Sequence, residues 1–268
     1  MYTKEDIIEQ LKAMNAPQSV PVIVHSSFKA VGDIEGGPRA FLDTLIEYFT
    51  KDGGLLCIPT HTWHKMGKDG YTLDLTKNES CTGILSLVAM EHPCGVRTEN
   101  PTHSMVVFGN AERVHDFIKN EPFVTTPTPP EGCYGKLYSE GGYVLLIGVA
   151  QNKNTYLHSV GEMQKLPNRM AKKPDKVSVL RKDGKAFERE ITIYFTDYTE
   201  DISLRFVKYE TAFRYHRAIT DGYLGNAPCQ LCDAVKLYDT VELIYKNSGG
   251  NDPLANEEHI PQKLYCNK

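Results

Sequence analysis

Apolar and polar positions along the chain follow two periods, and the switches between them mark its elements. In residues 3 to 14, Ile7, Ile8 and Leu11 form one stripe behind Thr3, a good N-cap, which predicts an amphipathic helix. VPVIVHSS (20–27) is an apolar run ending in polar residues, the pattern of a buried strand. Pro38 then opens a helix whose apolar face is Phe41, Leu42, Leu45, Ile46 and Phe49. Gly53 and Gly54 stop it, and LLCIPT (55–60) is a second buried strand. Strand, helix, strand over 20–60 predicts a parallel crossover, and with it an α/β fold.

Residues 61–80 read as an irregular polar insertion. A helix is expected over 82–92, a strand over 105–109 and a helix through Phe117 and Ile118. TTPTPPEGC (125–133) is a proline-rich loop, and YVLLIGV (143–149) a buried strand. A helix then starts at Asn154 or Thr155. Two alternating runs in 177–195, around Lys182-Asp183-Gly184, predict a β-hairpin. Helices are expected near 199–215 and 226–237, with VELIY (241–245) as a last strand. No repeat or low-complexity linker interrupts the chain. The expectation is one domain over 1–268: an α-β-α sandwich around a mixed, largely parallel sheet, with a β-hairpin elaboration in its C-terminal part.

Composition narrows the function classes. Of the 268 residues, 41% are apolar and 24% charged, an ordinary globular balance. The net charge of -4 leaves no basic excess to neutralise phosphates, which argues against a nucleic-acid partner. The N-terminus has no signal-like apolar stretch, and no run approaches the ~18 apolar residues of a membrane helix. A cytoplasmic protein with no membrane partner is expected. Seven scattered cysteines read as reduced thiols, and Cys229 and Cys232 lack the second pair a zinc site needs.

In a sheet of this kind, ligands bind beyond the carboxyl ends of the strands. Four segments fall there: His25-Ser26-Ser27, Thr60-His61-Thr62, Asn100 to Ser104, and Asn154 to His158. All are rich in hydroxyls and imidazoles, which together with free N–H groups can hold phosphates or a carbonyl oxygen. Three other chemistries are weaker. Ser26, Ser27 and Ser104 lack the G-x-S-x-G elbow of a hydrolase. His61 and His64 lack the carboxylates of a metal centre. No G-x-G-x-x-G follows the first strand.

In their order, these motifs resemble the aminoglycoside 3-N-acetyltransferases. The resemblance runs from VIVHSSFKAVGDIEGGPRAF through LLCIPTHTW, GVRTENPTHSMVVFGNAE, EGCYGKLYSEGGYVLLIGV, NTYLHSVGE and FTDY to GYLGNAPCQLCDAVKLYD, about residues 20 to 240. It implies that fold and direct transfer of acetyl from acetyl-coenzyme A to an amine, with no metal and no acyl-enzyme. It matches His158 to the family's catalytic histidine and Asp197 to a carboxylate that orients it. The family's glutamate, three residues after that histidine, is Gly161 here, with Glu162 next; the role of that carboxylate is then shifted by one residue or lost. Asn100 likewise replaces a histidine before Pro101. By the same resemblance Ser26, Ser27 and Phe28 hold the coenzyme, helped by Thr60, with Thr102, His103, Ser104 and Met105 as its second segment and Thr155 on the acyl oxygen. The amine site would be walled by 61–80, where Trp63 offers a flat face and Asp69, Asp74 and Glu79 offer negative charge. An alternative is acetylation of a different amine, or coenzyme binding without turnover. A homodimer is left open.

Overall fold

The strands of the central layer are apolar on both faces, so helices have to cover both. In the computed structural model, which describes residues 1–65, 71–256 and 258–266, they do. The first half contains α1 (Lys4–Ala13), β1 (Pro21–Ser26), α2 (Phe28–Val31), α3 (Gly37–Phe49), β2 (Leu55–Pro59), β3 (Thr72–Asp74), α4 (Ile84–Glu91), β4 (Val96–Arg97), β5 (Met105–Phe108) and α5 (Ala111–Ile118). After it come α6 (Cys133–Ser139), β6 (Tyr143–Ile147), α7 (Tyr156–Met163), β7 (Asp175–Leu180), β8 (Ala186–Ile191), α8 (Glu210–Tyr215), β9 (Ile219–Leu224), β10 (Ala227–Asp233) and α9 (Ala234–Asn247).

The main sheet has seven strands in the order β4-β5-β2-β1-β6-β10-β9. Its centre, β2-β1-β6, is parallel, and antiparallel strands flank it on both sides. Alternation along each strand divides the core in two. Ile23, Cys57, Val107 and Val144 pack under α5, α6, α7 and α9, whereas Val22, Val24, Leu56, Val106 and Leu145 pack under α1, α3 and α4. Thr3 closes α1 with a reciprocal capping box to Asp6. A second sheet, β3-β7-β8, contains the expected hairpin and has its own small core of Tyr71, Leu73, Val177, Val179 and Ile191. The insertion after residue 60 therefore contributes regular structure: its strand β3 runs parallel to β7.

Two expectations are corrected. The helix expected over 226–237 begins only at Ala234, after a strand, and VELIY lies inside that helix instead of forming a strand. Ala227, Cys229 and Leu231 are buried at period two, which makes β10 the partner of β9 across the Gly225-Asn226 turn. Asp233 then caps α9 by accepting from the Lys236 N–H at 3.1 Å. Ala234, Leu237, Val241 and Ile244, three or four apart, form its buried stripe.

The β9–β10 turn also supports α2, the segment that follows the carboxyl end of β1. Asn226 N–H donates to the Val31 carbonyl at 2.9 Å. Gly225 has φ +58, and a Cβ there would stand 2.2 Å from the same oxygen. Gly225→Ala is expected to lower unfolding stability by more than about 1 kcal/mol, from the left-handed backbone alone. A urea melt checks this, and an unchanged midpoint would show that the turn has slack.

Candidate active site

The parallel centre of the sheet sends the chain out of β1, β2 and β6 over one edge, and a cleft of about 1030 Å³ opens there. Three of the polar strand ends line it directly: His25, Ser26 and Ser27 from β1, His61 from β2, and Asn154, Thr155 and His158 after β6. The turn before β5 adds Thr102 and His103. The roof is the segment 193–204, including Tyr194 and Asp201. Ser27 N–H donates to the Ile147 carbonyl at 2.8 Å, which ties the loops after β1 and β6 together. Gln151 donates to Gln230 at 2.8 Å and accepts from Asn154 at 2.9 Å, which fixes the turn that launches α7. His158 therefore sits in the first turn of α7, partly exposed to the cleft.

Four imidazoles gather on the cleft floor and wall. His61 Nε2 shares a hydrogen bond with the Tyr134 hydroxyl at 2.8 Å, and its ring lies 4.6 Å from that of His103 and 6.3 Å from that of His25. His103 Nδ1 shares one with Thr102 Oγ1 at 2.9 Å. The replacement residue Asn100 organises this turn: its Oδ1 accepts from the N–H groups of Thr102 and His103, and its Nδ2 donates to the Pro127 carbonyl. Burial keeps all four rings neutral. It pushes His25 down to about 3 and His158 down to about 4. His61 and His103 are pushed well below the ordinary histidine value by burial, and further by neighbouring imidazoles. At His158 the Asp201 carboxylate pulls upward against burial, and Arg169 pulls downward.

Glu162 does not line the cleft. Its carboxylate lies behind Tyr194, accepting from the Thr126 hydroxyl, from Thr128 N–H and Oγ1 at 2.9 Å each, and from the Tyr194 hydroxyl at 2.5 Å. Desolvation raises it, against the pull of those four donors. The Tyr194 ring in turn stacks on His158, with centroids 4.3 Å apart and planes 18° from parallel. Phe206 meets the same imidazole edge-on at 4.9 Å.

The expected site residues divide clearly. Ser26, Ser27, Phe28, Trp63, Thr102, His103, Thr155 and His158 come together around the cleft. Thr60 and Ser104 do not line it; they bond each other through backbone and hydroxyls and join the loops after β2 and before β5. Met105 points into the core. Asp74 accepts from Thr76 N–H and pairs with Lys77, Glu79 pairs with Lys65, and neither reaches the cleft wall. Asp69 lies outside the described residues. Asp197 stands on an exposed turn, its N–H donating to Asn168 Oδ1 at 3.0 Å. Two carboxylates stand on the roof: Glu200, which pairs with Arg205 at 2.9 Å, and Asp201, which caps the 3-10 helix Ile202–Tyr209. Asp201, Tyr194, Lys29 and Lys153 are lining residues that sequence patterns did not single out. Asp201 had one local signal, its capping position; Tyr194 had none.

The chain matches the family model described as aminoglycoside 3-N-acetyltransferase over residues 23–246. It is 24% identical to the SPbeta prophage-derived aminoglycoside N(3')-acetyltransferase-like protein YokD of Bacillus subtilis (strain 168), across 92% of this chain and 93% of that one. It is 26% identical to aminoglycoside N(3)-acetyltransferase IV of Salmonella sp, across 62% and 61%. Among solved structures, a mutant of aminoglycoside acetyltransferase AAC(3)-IVa in complex with apramycin shares the fold with a TM-score of 0.74, at 21% identity over 96% of this chain and 98% of that one. The AAC-IIIb binary structure with CoASH does so with a TM-score of 0.72, at 20% identity over 89% and 94%.

The neutral imidazoles carry a stability signature. The unfolded chain takes up protons near the ordinary histidine value, whereas the folded one resists until about 3 at His25 and about 4 at His158. Unfolding stability should therefore be complete above pH ~6.5 and fall as pH drops below it, by roughly 1.4 kcal/mol per unit for each resisting histidine. Urea midpoints at pH 7.5, 6 and 5 test this, with His25→Gln flattening the slope. A flat profile in the parent protein would mean that these rings are solvated.

Proposed function

We propose, because the chain belongs to the aminoglycoside 3-N-acetyltransferase family, that this cleft brings acetyl-coenzyme A and an aminoglycoside amine together and transfers the acetyl group to that amine. The observation that carries the reading is His158, an imidazole on the cleft wall in the first turn of α7, the helix that follows β6. We further take residues 1–268 to act as one unit.

The residues present fit a phosphorylated pantetheine carrier. Exposed Lys29 and Lys153 provide cations for its phosphates, Ser26, Ser27 and Thr102 provide hydroxyls, and Phe28, Ile84 and Val149 provide apolar wall. Its thioester supplies an activated acyl carbon and a thiolate leaving group. His158 accepts the proton that the amine nitrogen loses as the C–N bond forms and the C–S bond breaks. The Thr155 hydroxyl is the donor beside His158 for the negative charge that develops on the carbonyl oxygen. Asp201 attracts the cationic amine to the roof and offsets the charge that His158 gains.

His158→Ala should cut turnover by roughly 10² to 10⁴ while coenzyme binding persists. Release of free thiol across a panel of aminoglycosides and simple amines measures the rate, and a melting temperature taken beside it separates catalysis from folding. Near-parental turnover in that variant would sink the assignment of the base.

The pH profile gives a second check. Since burial holds His158 at about 4, the imidazole stays unprotonated well below the usual histidine range. Activity should be lost as pH falls through that low value, and initial rates after a rapid pH jump would show it. An acid limb centred near 6.5 would mean that the working His158 is solvated. Asp201→Asn should move the limb lower still, because it removes the charge that favours the imidazolium.

A further inference from the structure

We propose that Tyr194 is a positioning residue for His158: it holds the imidazole against its ring and couples the buried Glu162 carboxylate to it when the imidazole gains a proton. The proposal rests on the reading of His158 as the base. It starts from a loop of contacts that begins and ends on α7. Glu162 lies one turn after His158 on the same helix, yet its carboxylate turns away from the cleft and accepts a hydrogen bond from the Tyr194 hydroxyl at 2.5 Å. Tyr194 returns from the roof segment to stack flat on His158. Thr128 locks the loop from outside: its N–H and hydroxyl both donate to Glu162 Oε1, and its carbonyl accepts from Ser159 Oγ at 2.8 Å, again on α7. The phenol has little freedom to leave.

The geometry serves both charge states of the imidazole. A neutral ring stacked on a phenol is an ordinary aromatic contact. Once protonated, the same ring is a cation over a π-face, which attracts it. A hydroxyl that donates to a carboxylate makes that face more electron-rich. Glu162 thus acts on His158 without touching it, and the carboxylate that stands one residue later than the family pattern is reached through an aromatic ring.

The other groups around His158 cannot replace this contact. Asp201 favours the protonated ring and Arg169 opposes it. Arg169 is itself bound bidentately by Asp252, at 2.7 and 2.6 Å. His103, His61 and His25 are neutral, so none of them sets a charge beside the His158 ring.

The test compares the full-length protein with Tyr194→Leu, Tyr194→Phe, Glu162→Gln and the Phe/Gln double variant. Two readouts are used: thiol-release rates after pH jumps, and the His158 imidazole resonance at pH 7, assigned by its loss in His158→Ala. In the parent that resonance should be single, sharp and shifted upfield by the stacked ring. Tyr194→Leu should abolish the upfield shift, lower turnover about 3- to 30-fold, and move the acid limb down by about half to one and a half pH units. Tyr194→Phe and Glu162→Gln should each broaden the resonance and give a smaller loss of the same sign. Their double variant should be no worse than either, since both break one connection. Additive losses in the double variant would overturn the coupling. So would a His158 resonance and acid limb that stay unchanged in Glu162→Gln. If Tyr194→Leu does not fold, the Phe and Gln arms decide by themselves. The resonance needs no substrate, so it judges Tyr194 even in a protein that releases no thiol with any amine, a result that would instead count against the proposed function.

Discussion

Everything at the cleft depends on three adjacent strands running the same way. Parallel pairing of β2, β1 and β6 forces each following loop over the same edge of the sheet, because a parallel strand needs a crossover to return. That constraint collects His25, His61 and His158 from widely separated stretches of chain. The antiparallel flanks do different work. β5 sends its preceding turn, with His103, to the same edge from the opposite direction. β10 and β9 close the other side and lead into α9, which covers one face of the core.

Collecting imidazoles under a roof has an energetic consequence. Each ring loses water and stays neutral, which leaves buried polar atoms in need of partners. His61 and His103 find Tyr134 and Thr102. His25 Nε2 finds none among the described residues, an arrangement that costs stability on the order of 1–3 kcal/mol. His158 differs from the other three in being partly open to the cleft and in facing a carboxylate on the roof. It is thus the imidazole for which gaining a proton is least opposed by its surroundings.

Much of the fold is legible in the sequence because burial alternates strongly. The runs at 20–27, 55–60 and 143–149 are apolar on both faces, and the polar residues at their ends mark the cleft. The hairpin around Asp183-Gly184 is readable from its turn. Residues 219–247 are not, since Gly225-Asn226 is a short turn inside a mixed run and the stripe of α9 passes through VELIY. At the site, residues next to strand ends can be found, because strand ends are local. Asp201 and Tyr194 reach the cleft only by the docking of a distant segment, which no local pattern records. The same limit misplaces Asp74 and Glu79: negative charge in the insertion is visible, but not that Lys77 and Lys65 take it up.

The four-residue helix α2 is gripped on two sides. Gly148 leaves room for Ala30, where a Cβ would come within 2.5 Å of the alanine methyl, and Gly225 leaves room for the Val31 carbonyl. Both glycines have positive φ, so neither accepts a side chain without strain in its own backbone. The wall carrying Ser26, Ser27 and Phe28 is therefore set by close approaches that only glycine permits rather than by interchangeable side chains. Mutational drift can reshape such a wall only through concerted changes in three separate stretches of chain. The opposite wall, with half-exposed Trp63 and the 81–84 turn, is held partly by a replaceable side chain, Thr82 Oγ1 donating to the Pro59 carbonyl at 2.8 Å, and single substitutions can alter it. Within one cleft, the surface beside β1 is built to stay constant, and the surface beyond β2 is where a lineage could try new amines.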